Sequence, residues 1–168
     1  MPLLVREGRP QDADHINQIY NWYVEHSTAT FDLEPWPLKR RQEWMEQFFD
    51  DDAPYHLVVA VNAGAVIGFA YNGPLRNRPG YVSSTEVTVY TRHSAAPKGT
   101  GSRLFERLFS LIAKTDLHRA YAVIGVPNDA SIRLHQKFGF EQVGFLDQVG
   151  TKFGQRVDVA WYQKRLDQ

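Results

Sequence analysis

Apolar and polar positions along this chain switch between two periods, and the switches mark its elements. Leu3 to Glu7 is a short apolar run that reads as a strand. Pro10 marks a turn, after which Ile16, Ile19, Tyr20, Tyr23 and Val24 recur at the three-and-four spacing of a helix with one apolar stripe. STATFDLEPWP carries two prolines around Trp36, and each lacks an amide donor, so an irregular loop presenting aromatic side chains is predicted. A second helix is expected from Leu38 to about Phe49. HLVVAV, then NAG, then AVIGFAY reads as strand, turn, strand, with turn formers between two β-rich apolar runs.

Asn72 to Gly80, NGPLRNRPG, breaks the pattern with two prolines, two glycines and two arginines before YVSSTEVTVY resumes as a long strand. Leu104, Phe105, Leu108, Leu111 and Ile112 fall on one face of an amphipathic helix. Arg119 to Ile124 reads as a buried strand. VPNDASIRLHQKFGF supplies a helix start at Pro127 to Asp129, a short helix, and a stop at Gly139. Two last strands, Phe145 to Val149 and Arg156 to Gln163, are expected on either side of a TKFG turn. Without internal repeat, low-complexity tract or linker, the order predicts one mixed α/β domain spanning residues 1–168.

Composition narrows the chemistry. The 168 residues hold 19 basic and 19 acidic side chains, so the basic excess that drives binding to a phosphate backbone is missing and no nucleic-acid partner is expected. The absence of cysteine excludes disulfides, thiolate metal sites and cysteine nucleophiles. Six histidines lie scattered without HxxxH or HExxH spacing, so no metal is expected, and no GxSxG elbow is present. MPLLVREGRP has too short an apolar run for a leader, and nothing approaches the ~20 apolar residues of a membrane span. A cytoplasmic protein with no membrane partner is the expectation.

Two neighbouring stretches carry the candidate chemistry. In SAAPKGTGSRLF, Ser94 to Phe105, a loop runs through Gly99 and Gly101 into a helix. The first amides of a helix have no partner inside it, and glycines let a ligand approach them, so amides from about Lys98 to Arg103 can converge on an anion such as a pyrophosphate. The motif lacks the GK[ST] of a Walker loop and the third glycine of the dinucleotide fingerprint. The plain alternative is a glycine-assisted loop before a surface helix. Just upstream, TEVTVY places one carboxylate, Glu86, within a strand. Glu86, Thr88 and Tyr90 share a face that is either a cleft wall or a polar outer surface.

In order, the chain reads as a strand with an acidic residue, a glycine turn into a helix, a strand, then NDxSxRLHxKxGF. With IYNWYVEHSTATF, GPLRNRPGY, EVTVY, PNDASIRLH and VGTKFGQRVD, it resembles the GNAT superfamily of N-acetyltransferases, and within it the phosphinothricin and methionine sulfoximine group. The resemblance spans nearly the whole chain. It implies a twisted mixed sheet with helices on both faces, splayed at a cleft for acetyl-CoA, whose acetyl group goes to the amino group of a small amino-acid-like substrate. Main-chain groups of Val89, Tyr90 and Thr91 would hold the pantetheine amides. Pro97, Lys98, Gly99, Thr100, Gly101 and Ser102 would cradle the pyrophosphate, and Asn128 and Ser131 would add contacts. An amine attacks a thioester only when neutral, which calls for a base, and Glu86 is the candidate.

His135 stands where many superfamily members place a tyrosine acid, with packing as its alternative. Arg76 and Arg78 lie where relatives bind the substrate carboxylate, a group that a guanidinium fork matches. Solvated loop arginines are the other reading. Phe31 resembles the aromatic that closes over the substrate, or packs in the core. Lys152 is placed to reach an active site, across a dimer interface in one version, and the resemblance implies a homodimer. Two departures stand out: Ala96 and Pro97 replace the usual phosphate-loop head, and Val82 stands where relatives commonly carry an arginine. Other amines (a polyamine, an aminoglycoside, a protein N-terminus) and a non-catalytic acyl-CoA-binding module stay open.

Overall fold

A computed structural model describes residues 3–94 and 96–166. Ala95, within the glycine loop, lies outside the described residues. Seven strands form one sheet: β1 (Leu4–Glu7), β2 (Leu57–Asn62), β3 (Ala65–Pro74), β4 (Ser84–Thr91), β5 (Arg119–Val126), β6 (Glu141–Lys152) and β7 (Gln155–Arg165), in spatial order β1-β2-β3-β4-β5-β7-β6. Every ladder is antiparallel except β4 with β5. That parallel pair requires a crossover, which α3 (Thr100–Ile112) supplies. The mixed sheet agrees with the fold class expected from the sequence.

Both faces of the sheet are covered, which explains why β2 reads as an unbroken apolar run. Val58 and Ala60 point toward α3, where they meet Leu104, Phe105, Leu108 and Ile112. Leu57 and Val59 point the other way, toward Ile16, Ile19 and Val24 of α1 (Ala13–His26) and Met45 of α2 (Leu38–Met45). The period of two thus divides one strand between two cores. The α4 helix (Asp129–Lys137) starts at Asn128, whose side chain accepts the Ser131 amide at 3.2 Å, and stops before Gly139 at φ 84°.

Several expected boundaries move. The second helix ends at Met45 and tightens into a 3-10 turn over Glu46–Phe48. Tyr81 belongs to a 3-10 turn, Pro79–Tyr81, so the long strand begins only at Ser84. The last hairpin is far longer than predicted: β6 runs through Thr151 and Lys152, and its turn is Phe153 and Gly154, at φ 52° and 70°. Two successive positive φ values match the twist of a two-residue hairpin.

Candidate functional site

The parallel ladder between β4 and β5 covers only Ser84, Thr85 and Glu86, opposite Arg119, Ala120 and Tyr121. Beyond Glu86 the strands part around a cavity of about 770 Å³, walled by residues 87–91 and 122–125 and by the loop and α3 start at 96–102. Asn128, Ser131 and His135 of the α4 segment and Ala29, Thr30 and Phe31 after α1 also line it. The sequence thus places Glu86 on the last paired rung, where the gap opens.

Backbone direction decides which amides face the gap. The Arg92 amide donates to the Ile67 carbonyl at 2.7 Å, in line with the Phe69–Tyr90 register. Alternation along an antiparallel ladder then turns the groups of Tyr90, Thr88 and Glu86 toward β3 and those of Val87, Val89 and Thr91 toward the gap. Of the three residues expected to offer main-chain groups, Val89 and Thr91 are so directed, whereas the Tyr90 backbone belongs to the β3 ladder. The Thr91 carbonyl already accepts the Tyr23 hydroxyl at 2.7 Å, which leaves its amide.

At the head of α3, Gly99 takes φ 90°, a conformation that suits glycine, and its carbonyl accepts the Arg103 amide at 3.1 Å. The Thr100 amide and hydroxyl both turn back to the Pro97 carbonyl, at 3.2 and 2.7 Å. The donors of the first turn are therefore narrower than the sequence suggested: Gly101 and Ser102, at the positive end of the helix dipole. A Cβ on Gly101 would stand 3.1 Å from Leu134 Cδ2, so the glycine also lets α3 and α4 close on each other. Lys137 reaches across that contact to Ser102 Oγ at 3.0 Å. Open strand amides followed by a cationic first turn form a long slot that fits a thread-like molecule with amides along its length and phosphate at one end.

Glu86 shares its face with half-buried Thr88 and with Tyr90, which is 8 % exposed. This face looks toward α1, not outward to solvent. Burial pushes the Glu86 carboxyl above its usual value, and the charge of Arg76 opposes the shift in part. Tyr71 and Tyr20 line the same end of the cavity, and burial raises both phenols, so they stay protonated.

The other expected residues divide. Phe31 lines the cavity, 37 % exposed, with its ring against Gly150 of β6. Arg76 and Arg78 are exposed on the loop after β3 and do not line the cavity. Arg76 lies 5.4 Å over the Trp161 ring, near enough for its charge to act on Glu86, while Arg78 lends its carbonyl to the 3-10 turn. Val82 is exposed just after that turn.

His135 is 3 % exposed, edge-on to Phe105 and Phe140 at 5.1 Å each. Its Nδ1 hydrogen goes to the Ser131 carbonyl at 2.7 Å, and Nε2 is buried with no partner. Burial lowers its pKa, and its Nδ1 hydrogen is committed to the Ser131 carbonyl. This geometry favours the packing alternative over the acid role that the resemblance implied, although His135 does line the cavity.

Lys152 also departs from expectation. It is 2 % exposed, and its ammonium donates to the carbonyls of its own chain's Ser27, Thr30 and Tyr23 at 2.6, 2.7 and 3.3 Å. It does not line the cavity.

Sequence reasoning missed Tyr20, Tyr23, Tyr71, Arg133 and Lys137. A signal for the last two exists: Ala130, Arg133, Leu134 and Lys137 fall at i, i+3, i+4 and i+7, and all four line the cavity.

With this geometry the comparisons agree. Residues 5–161 match the acetyltransferase (GNAT) domain family. The chain belongs to the GNAT acetyltransferases and is an acetyl-CoA-dependent N-acetyltransferase. Within that family it is 44 % identical to a phosphinothricin N-acetyltransferase of Streptomyces coelicolor, over 96 % of this chain and 95 % of that one. It is 35 % identical to the L-methionine sulfoximine/L-methionine sulfone acetyltransferase of Pseudomonas aeruginosa, over 99 % and 96 %. Its fold matches a phosphinothricin acetyltransferase from Sinorhizobium meliloti, solved in complex with acetyl-CoA, with a TM-score of 0.91 at 31 % identity, covering 98 % of this chain and 89 % of that one. Among the described residues no helix is long and apolar enough to cross a membrane.

Proposed function

We propose that this enzyme acetylates the α-amino group of a small amino-acid-like substrate of the phosphinothricin or methionine sulfoximine type, with Glu86 as general base. The observation that carries the reading is the place of Glu86: a carboxylate with a raised pKa on the rung where the sheet opens, facing the cavity. Acetyl-CoA, when bound, supplies a thioester carbonyl open to attack by a neutral amine. Val89 and Thr91 would hold the pantetheine amides, Gly101 and Ser102 the pyrophosphate, with Lys98 and Lys137 as nearby charges.

The α-amino group of a free amino acid is mostly protonated at pH 7, its pKa lying above the about 7.7–8.0 of a chain terminus because its own carboxylate stabilises the ammonium. Glu86 accepts one proton from the ammonium, the neutral nitrogen then bonds to the acetyl carbon, and as the carbon–sulfur bond breaks the nitrogen sheds a second proton, matched by the one the thiolate takes up. Its raised pKa suits this role, because a stronger base takes the proton more readily. No side chain is assigned to protonate the departing thiolate, which solvent can protonate after it leaves. Arg76, outside the cavity lining but near enough for its charge to act on Glu86, would attract the substrate carboxylate, and Phe31 would cover the acceptor end.

We further propose a homodimer. Val143, Phe145, Leu146, Val149 and Phe153 are exposed along β6 and its turn, an apolar edge that a second copy would cover.

Thiol release from acetyl-CoA across a panel of amino acids, polyamines and aminoglycosides tests the assignment. Turnover confined to compounds with an α-amino and a carboxylate group is expected. Acetyl-CoA binding without turnover on any amine would leave only a binding module.

A further inference from the structure

We propose that Lys152 is a positioning residue for the acceptor amine: its ammonium ties the loop that carries Phe31 to the β6–β7 hairpin and so sets the ring over the substrate end of the cavity. The inference rests on the placement of Phe31 given above.

Three observations converge on this loop. The Lys152 ammonium ends on three carbonyls, of Tyr23, Ser27 and Thr30. Tyr23 and Ser27 are the last turn and cap of α1, where the dipole favours a cation; the Tyr23 carbonyl also accepts the Ser27 amide at 3.0 Å, which fits its longer contact with the ammonium. Thr30 is the residue before Phe31, so one cation joins a helix end to the substrate loop. The hairpin also supplies the floor: a Cβ on Gly150, two residues before Lys152, would fall 2.2 Å from Phe31 Cε1. On the other side, a Cβ on Gly125 of β5 would fall 2.6 Å from the Thr28 carbonyl oxygen.

The loop is thus pressed against two strands and held from behind by one side chain. Thr30 is fixed from the front as well, its hydroxyl 2.9 Å from that of Tyr20, which also donates to Asp32. Lys152 does not line the cavity. Its effect on the substrate passes through Phe31. Loss of the ammonium frees the Thr30 carbonyl to turn toward solvent, and Phe31, already 37 % exposed, turns with it.

The test is a double-mutant cycle of Lys152→Met and Phe31→Ala, with methionine sulfoximine as the amine and KM measured for both substrates. Lys152→Met is expected to raise the amine KM about tenfold, to change the acetyl-CoA KM by less than about twofold, and to add nothing in the Phe31→Ala background. An equal effect in both backgrounds, or an equal rise in both KM values, overturns the proposal. Phe31→Ala without effect on the amine KM removes the placement of Phe31 and this proposal with it. A defective Phe31→Ala beside a normal Lys152→Met overturns the positioning role alone. Should Lys152→Met fail to fold, Gly150→Ala moves the ring while leaving the ammonium in place; a raised amine KM with acetyl-CoA binding intact supports the coupling, and an unchanged one overturns it.

Discussion

Replacing Glu86 by glutamine removes the proton acceptor while keeping shape and size. A positioned general base contributes about 10²–10⁴ in rate, or about 2.7–5.5 kcal/mol of barrier. A fall of that size in turnover is expected, with acetyl-CoA affinity unchanged, because the groups proposed to hold the cofactor lie beyond Glu86 along the gap. Stability gives an independent check. Burial raises the Glu86 pKa, so the fold disfavours its charged form, and the neutral amide removes that penalty. The melting temperature near neutral pH is therefore expected to hold or rise.

The pH profile carries the most information. In the parent, turnover falls as acid protonates Glu86, with a midpoint above the ordinary 4.5. In the variant only spontaneously neutral amine reacts, so kcat/KM climbs about tenfold per pH unit up to the amine pKa, which for a free amino acid lies above the about 7.7–8.0 of a chain terminus. Stopped assays from about pH 5 to about pH 9, with calorimetric titration of acetyl-CoA, resolve both curves. A variant with the parent's turnover and acid limb would show that Glu86 is not the base.

Four further outcomes follow from the same geometry. Arg76→Ala is expected to raise KM about tenfold for amines bearing a carboxylate and to spare amines without one; equal loss for both refutes the carboxylate role. Gly101→Val crowds Leu134 Cδ2, which a Cβ alone would approach to 3.1 Å, and covers the first-turn amides, so calorimetry is expected to show at least about tenfold weaker acetyl-CoA binding. His135→Leu is expected to lower the melting temperature, since it leaves the Ser131 carbonyl without the ring hydrogen, yet to leave the pH profile of kcat in place; a displaced alkaline limb would restore His135 as an acid. Asp12 answers to acid: burial disfavours its charge, but two Arg6 bonds at 2.8 Å and the Arg9 amide outweigh burial and hold its pKa below 3.8. Its contribution is therefore full above that value and lost as pH falls through the folded pKa, so an acid titration of Asp12→Asn is expected to lack that part of the parent's decline.

What the sequence revealed depended on periodicity. The α3 stripe was legible because each of Leu104, Phe105, Leu108, Leu111 and Ile112 is buried, leaving a clean 3.6-residue signal. Most of β6 escaped because it is an edge strand exposed on both faces, so burial imposes no alternation on it. Within the site, the step of two along β4 grouped Glu86 with Thr88 and Tyr90, but only the position of α1 shows that their face is enclosed. The partners of Lys152 lie 122 to 129 residues away along the chain, beyond any local pattern. Burial against Phe105 and Phe140 lowers the His135 pKa, and nothing in RLHQK announces that.

The parting of β4 from β5 gives this protein an edge in the middle of its sheet. Edges at the rim invite strand addition by other chains, and proteins defend them. This one is enclosed by the loop and α3 start at 96–102, by the α4 segment and by the Ala29 to Phe31 loop. A polypeptide with side chains on both faces would collide with those walls, whereas a single unbranched thread bearing amide groups can complete the ladder. The interior edge works as a filter: it keeps the adhesive property of an unpaired strand and restricts it to guests too slender to be proteins.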